Sequence, residues 1–200
     1  MTDIRICFVD DSFVQGTSDP ECLGWAGRVS RSAIQNGYDL TYYNLGVRKD
    51  TSHDIAARWE REVKPRLPDP SAGYVVFSFG VNDVAVEGGK IRVSERLTRD
   101  IAHRILGTAI GRYQTIMIGP PPVDDPSHNS RILRLADLLG QVAGEEGVPY
   151  LQVFERLLID QCWMGEVKAN DGSHPQSKGY QALANLIQAW PEWWFQKPCP

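Results

Sequence analysis

Apolar and polar positions along this chain alternate between two periods. Five short runs are mostly apolar and rich in β-branched or aromatic residues: Arg5 to Val9, Leu40 to Leu45, Tyr74 to Phe79, Thr115 to Ile118 and Pro149 to Val153. Such runs predict buried strands. Between them the apolar residues return at helical spacing, over about Leu23 to Asn36, Ile55 to Lys64, Ser94 to Arg112 and Arg131 to Glu146. In the last of these, Leu135, Leu138, Leu139 and Val142 mark one face. A final helix is expected from Gln176 to about Ala189, with Pro191 as its stop. Strands alternating with helices predict a parallel sheet covered on both faces. No repeat, low-complexity tract or composition shift divides the chain. The expectation is therefore one α/β domain over residues 1–200.

This topology says where chemistry belongs. In open α/β sheets, sites form beyond the carboxyl ends of the strands. Asp10-Asp11-Ser12 follows the first strand and Asn44-Leu45-Gly46 closes the second. Gly80-Val81-Asn82-Asp83 follows the third, and Gly119-Pro120-Pro121-Pro122 the fourth. Asp171-Gly172-Ser173-His174-Pro175 lies between the fifth strand and the last helix. Five polar or glycine-containing segments thus converge on one edge.

The residue types on that edge form a nucleophilic set. Ser12 needs an adjacent base to become a useful nucleophile. His174 can be that base, with Asp171 holding its tautomer. Attack on an acyl carbonyl makes an oxyanion, which needs donors placed in advance. The candidates are the backbone N–H of Ser12, the backbone N–H of Gly46 and the side-chain amide of Asn82. Each segment alone has a plainer reading. Ser12 beside two aspartates fits a helix cap, Asn82-Asp83 and Asp171-Gly172 fit turns, and Gly46 fits a strand terminator.

In their order along the chain, these residues resemble the SGNH hydrolases, also called the GDSL family of esterases and lipases. The family's four characteristic positions fall on Ser12, Gly46, Asn82 and His174, with Asp171 in its D-x-x-H block. Gly80-Val81-Asn82-Asp83 matches its G-x-N-D block in full. The resemblance spans nearly the whole chain. It implies a three-layer α/β/α sandwich of flavodoxin-like type around a five-stranded parallel sheet. It also implies ester hydrolysis through an acyl-enzyme, without metal or organic cofactor. The first block departs from the family's Gly-Asp-Ser-Leu: here it reads Asp10-Asp11-Ser12-Phe13. If Asp10 faced the site as a carboxylate, it would favour protonated His174 and move the activity threshold to higher pH.

Composition narrows the rest. A hydrophobic content of 42%, a charged content of 23% and a net charge of -4 describe an ordinary soluble domain with no basic patch for nucleic acid. No apolar run is long enough to span a bilayer. Cys7, Cys22, Cys162 and Cys199 show no metal-ligand spacing. With no export signal in the first residues, the expectation is a cytoplasmic protein with reduced thiols. The partner expected is a small acyl ester, with a short chain, or a thioester. Val84, Val86 and Val123 are candidates to line its pocket.

Other histidines serve as controls. His53, His103 and His128 each also follow an aspartate by three positions, Asp50, Asp100 and Asp125, so that spacing alone singles out no base; none of the three falls in a block that matches the family, and they read as bystanders. Arg131 and Arg134 read as a solvated helix face, with an anionic substrate group as the sharper alternative. The aromatic tail from Trp190 to Phe195 reads as packing back over the last helix and the sheet.

Two readings from other classes remain. Ile6 to Ser12 also resembles the start of a receiver-type phosphoacceptor signalling domain, but strand three ends in Phe77-Ser78-Phe79-Gly80, with no acceptor aspartate at its tip. A non-catalytic, ligand-binding member of the same fold is the other.

Overall fold

The computed structural model describes residues 2–197. Cys199 lies outside them. The elements, in chain order, are β1 (Ile4–Asp10), α1 (Ser12–Gln15), α2 (Gly24–Gln35), β2 (Leu40–Gly46), α3 (Ser52–Val63), β3 (Ala72–Ser78), β4 (Val86–Glu87), β5 (Lys90–Ile91), α4 (Glu95–Ile110), β6 (Gln114–Ile118), α5 (Pro126–Glu145), β7 (Tyr150–Leu151), α6 (Phe154–Leu158), α7 (Gln161–Ala169) and α8 (Ser177–Gln188). Five strands form one parallel sheet in the order β2-β1-β3-β6-β7. Helices α2, α7 and α8 pack together, as do α3, α4 and α5, one group on each face of the sheet. This is the α/β/α sandwich expected from the alternating pattern.

Each strand's composition follows from its place. In β1, between two neighbours and under helices on both sides, Ile6, Cys7, Phe8 and Val9 are all fully buried. That is why it reads as a continuous apolar run rather than an alternation. At the edge, β2 exposes Thr41, Tyr42 and Asn44 and buries Leu45. The core is fastened by aromatic pairs. Phe8 meets Trp25 edge-on at 5.4 Å, and Trp59 meets Phe77 at 5.4 Å. Each such ring contributes about 1.5–3 kcal/mol by leaving water. At the amino-terminal end of the strands, Trp194 packs on Tyr74 at 4.8 Å and Phe195 on Tyr38 at 5.0 Å. The aromatic tail closes that end and leaves the opposite end to the site.

Several boundaries differ from the periodicity, each for a local reason. Helix α3 starts at Ser52, ahead of the expected Ile55, because Thr51 and Asp54 form a reciprocal capping box. Helix α5 starts at Pro126, ahead of Arg131: the Asp125 side chain accepts from His128 N, and Pro126 sits where a missing N–H costs nothing. His128 is therefore in the first turn of α5. The last strand shrinks to Tyr150–Leu151, since it pairs only with β6 and Val153 already caps α6. The β4–β5 hairpin and helices α1, α6 and α7 are too short to show a period.

Candidate active site

The sheet changes winding direction between β1 and β3, since β2 lies on one side of β1 and β3 on the other. The crevice outside their carboxyl ends is where a ligand can reach both loops. Ser12 opens α1 directly after β1, and Asp11 supplies its cap by accepting from Phe13 N at 2.9 Å. So the capping duty falls to Asp11, and the Ser12 hydroxyl is left for another partner. Helix α1 ends after one turn at Gly16, in the left-handed conformation at φ 80°. A Cβ there would meet the Gly24 backbone, so only glycine fits the turn.

The Asp171–His174 segment closes on the same crevice. Asp171 Oδ1 accepts from the backbone N–H of Ser173 at 2.9 Å and of His174 at 2.8 Å. Its Oδ2 lies 2.7 Å from His174 Nδ1, and His174 Nε2 lies 2.8 Å from Ser12 Oγ. An ionised carboxylate only accepts, so Nδ1 carries the proton and Nε2 is free to accept from the hydroxyl. Partial burial alone would raise the Asp171 pKa. The hydrogen bonds from His174 and Ser173 outweigh it and hold the carboxyl below its usual value. Gly172, at φ 78°, makes the turn. The Phe13 ring covers the imidazole at 5.0 Å.

The two other polar segments are drawn in by the same loops. Asn82 Nδ2 donates to Asp11 Oδ2 at 2.6 Å and to the Asp50 carbonyl at 3.0 Å. Gly46 N donates to Asn44 Oδ1 at 3.0 Å, and Asn44 Nδ2 donates to the Val14 carbonyl at 2.7 Å. Both amide protons of Asn82, and the N–H of Gly46, therefore have partners within the chain. A Cβ on Gly46 would run into the backbone of Asp11 and Gln15, which is why a glycine stands there. Ser12, His174 and Asp171 are thus joined by hydrogen bonds, while Asn82 bonds to Asp11 beside Ser12 and Gly46 is tied through Asn44 to Val14 of α1.

A model of the GDSL-like lipase/acylhydrolase family matches residues 11–182. The chain belongs to this family. It is a GDSL-type ester hydrolase. A lipase/acylhydrolase from Enterococcus faecalis shares 24% identity, with 92% of this chain and 93% of that one aligned and a TM-score of 0.75. Axe2, an acetylxylan esterase from Geobacillus stearothermophilus, shares 20% identity over 97% and 95% of the two chains, with a TM-score of 0.77. LAE5, an α/β hydrolase enzyme from the metagenome of Lake Arreo, shares 21% over 94% of each, with a TM-score of 0.77. These likenesses describe a common fold. No curated protein matches the chain.

In this GDSL hydrolase the departure at Asp10 lies inside the protein. Asp10 is buried, its Oδ1 has no hydrogen-bond partner, and its carboxyl lies beside Asp11 and Ser78. Burial, then the neighbouring Asp11, pushes its pKa well above the usual range. Burial likewise pushes Asp11 up, to about 7, against the hydrogen bond from Phe13 N. A protonated Asp10 has no charge with which to raise the His174 pKa, so the expected alkaline shift loses its cause. The end of β3 at Ser78, followed by Phe79 and Gly80, agrees with the absence of a receiver's acceptor aspartate there.

The valines expected to line an acyl pocket divide. Val84 and Val123 are core residues, while Val86 is 53% exposed on the β4–β5 hairpin. Arg131 reaches back to the Val84 carbonyl at 2.8 Å, and His128 Nε2 lies 2.9 Å from the Val81 carbonyl. Both brace the loop that carries Asn82, a role their spacing does not announce. Asp83, within the recognised block, does the same from below. It accepts from Ser52 N at 2.7 Å and from Thr98 Oγ1 at 2.7 Å, tying α3 and α4 to the loop.

Proposed function

We propose that this hydrolase cleaves carboxylic esters through an acyl-enzyme on Ser12. The observation that carries the reading is the unbroken relay from Ser12 Oγ to His174 Nε2 at 2.8 Å and from Nδ1 to Asp171 Oδ2 at 2.7 Å. His174 takes the hydroxyl proton as Ser12 attacks the carbonyl carbon. Asp171 stabilises the imidazolium that results. The imidazolium then protonates the leaving alcohol as the tetrahedral intermediate collapses. A water molecule, deprotonated by His174 in turn, releases the acid and restores Ser12.

The N–H groups of Ser12 and Gly46 and the Asn82 amide are assigned to the oxyanion. For Gly46 and Asn82 this means an exchange of partners: Asn44 and the Asp50 carbonyl give way as negative charge develops. Such donors are each worth about 3–4 kcal/mol in the transition state. Catalytic mutants of Axe2 replace a serine, an aspartate and a histidine, the last two three positions apart, as Asp171 and His174 are here. That parallel supports the assignment. Axe2 is an acetylxylan esterase, which favours short acyl groups, acetate first, over long chains.

The test is a hydrolysis series over p-nitrophenyl esters of rising chain length, with acetylated xylo-oligosaccharides and an acyl thioester alongside. Ser12→Ala should lower kcat about 10⁴-fold or more while leaving the circular dichroism spectrum unchanged. A mutant that kept the wild-type rate would refute the mechanism.

A further inference from the structure

An arginine inside a helix–sheet interface must find acceptors for five N–H groups or lose more energy than the helix gains. Arg58 is such a residue. It interrupts the buried stripe of α3 between Ile55 and Trp59 and is 8% exposed. Its Nη2 donates to the Asp10 carbonyl at 2.8 Å, and its Nη1 donates to the Leu45 carbonyl at 3.0 Å. Nε donates to Asp50 Oδ2 at 2.7 Å, and Nη1 also reaches Glu62 Oε2 at 2.8 Å.

The acceptors are not a random set. Asp10 ends β1 and leads into Asp11-Ser12. Leu45 precedes Gly46 at the end of β2. Asp50, whose carboxylate takes Nε, presents its own carbonyl to the Asn82 amide at 3.0 Å. One guanidinium is thus bonded to the segments that carry the nucleophile and one oxyanion donor, and through Asp50 it reaches the other. The planar fork is what permits this. A lysine ammonium, a point charge on a flexible stem, cannot serve two strand ends and a side carboxylate in fixed directions.

We propose that Arg58 is a positioning residue for ester hydrolysis, setting the spacing of Ser12, Gly46 and Asn82 from the far side of the sheet edge. The proposal rests on the functional reading above. Arg58 touches no substrate, so its loss acts on the transition state and leaves ground-state binding alone. The same displacement weakens a tetrahedral analogue as much as it slows turnover.

The experiment compares wild type, Arg58→Lys and Ser12→Ala with p-nitrophenyl acetate, adding inhibition by a phenylboronic acid and thermal unfolding. Arg58→Lys should lower kcat about 10- to 100-fold, as sub-ångström to ångström misplacement does. Its KM should stay within about threefold of wild type, and the boronate Ki should rise by the factor lost in kcat. A variant that only melts earlier, with kcat and boronate affinity unchanged well below its midpoint, overturns the proposal. Should Arg58→Lys fail to fold, Asp50→Asn loosens the same clamp from its half-buried side. The same kcat and boronate losses are expected there, and wild-type values overturn the role. A wild-type protein without Ser12-dependent esterase activity refutes the functional reading itself, an outcome separate from either of these.

Discussion

Two buried carboxylate clusters lie within one stretch of chain and behave in opposite ways. Asp19 is surrounded by donors: the Arg28 guanidinium, Gly24 N at 2.8 Å, Glu21 N at 3.1 Å and Ser177 Oγ at 2.9 Å. Burial alone would raise its pKa, but these donors, led by Arg28, bring it down to about 2. Asp10 and Asp11 are as deeply buried but have no cation at their carboxyl groups, and their pKa values rise. Loss of water raises a carboxyl in both places, but only Asp19 has a cation and enough donors to bring it back down. The donors decide. The charged cluster ties the loop before α2 to the start of α8. The raised pair lies next to Ser12, and Asp11 accepts from the Asn82 amide.

The largest test removes the anchor. Asp19→Ala leaves Arg28 buried without its main partner and should cost about 3–5 kcal/mol in urea unfolding. A loss below 1 kcal/mol would mean that Glu21 and water replace it. Next is the pH dependence of stability, where the signs oppose. Asp19 is depressed, so its contribution is present above about pH 4 and is lost as pH falls towards 2. Asp10 and Asp11 are raised, so their contribution is present below about pH 4 and is lost as pH rises towards 7. Each proton released there costs at most about 1.4 kcal/mol per pH unit. Asp10→Asn should flatten the slope between pH 4 and 7. An unchanged slope would show that the pair is not what titrates. The smallest effect belongs to Glu21, the exposed partner of the same guanidinium at 3.1 Å. Glu21→Gln should cost under about 1 kcal/mol, since solvent screens that half of the cluster.

Much of this protein was legible before any coordinates. A short apolar run such as Ile6 to Val9, rich in β-branched and aromatic residues and set between helical segments, reads as a strand covered on both sides, so the parallel sheet follows from the pattern. The blocks around Ser12, Gly46, Asn82 and His174 follow from their placement after strands and their match to the family, which also singles out Asp171 among four D-x-x-H pairs. Short elements did not show. One turn of helix at Ser12–Gln15 or a two-residue strand has no period to read.

The sequence by itself determined the layers and the family, and it placed the candidate residues at one edge of the sheet. Tertiary structure alone decided how that edge is held. Arg58 looks like one more charged helix residue until its carbonyl partners, 48 and 13 positions away, are in place. Asp10 looks like a second charge beside the serine until the fold buries it against Asp11 and raises its pKa. Both depend on distances between segments far apart in the chain. Local composition sets which groups are available, but only the folded chain sets which donor meets which acceptor, and so which groups carry charge.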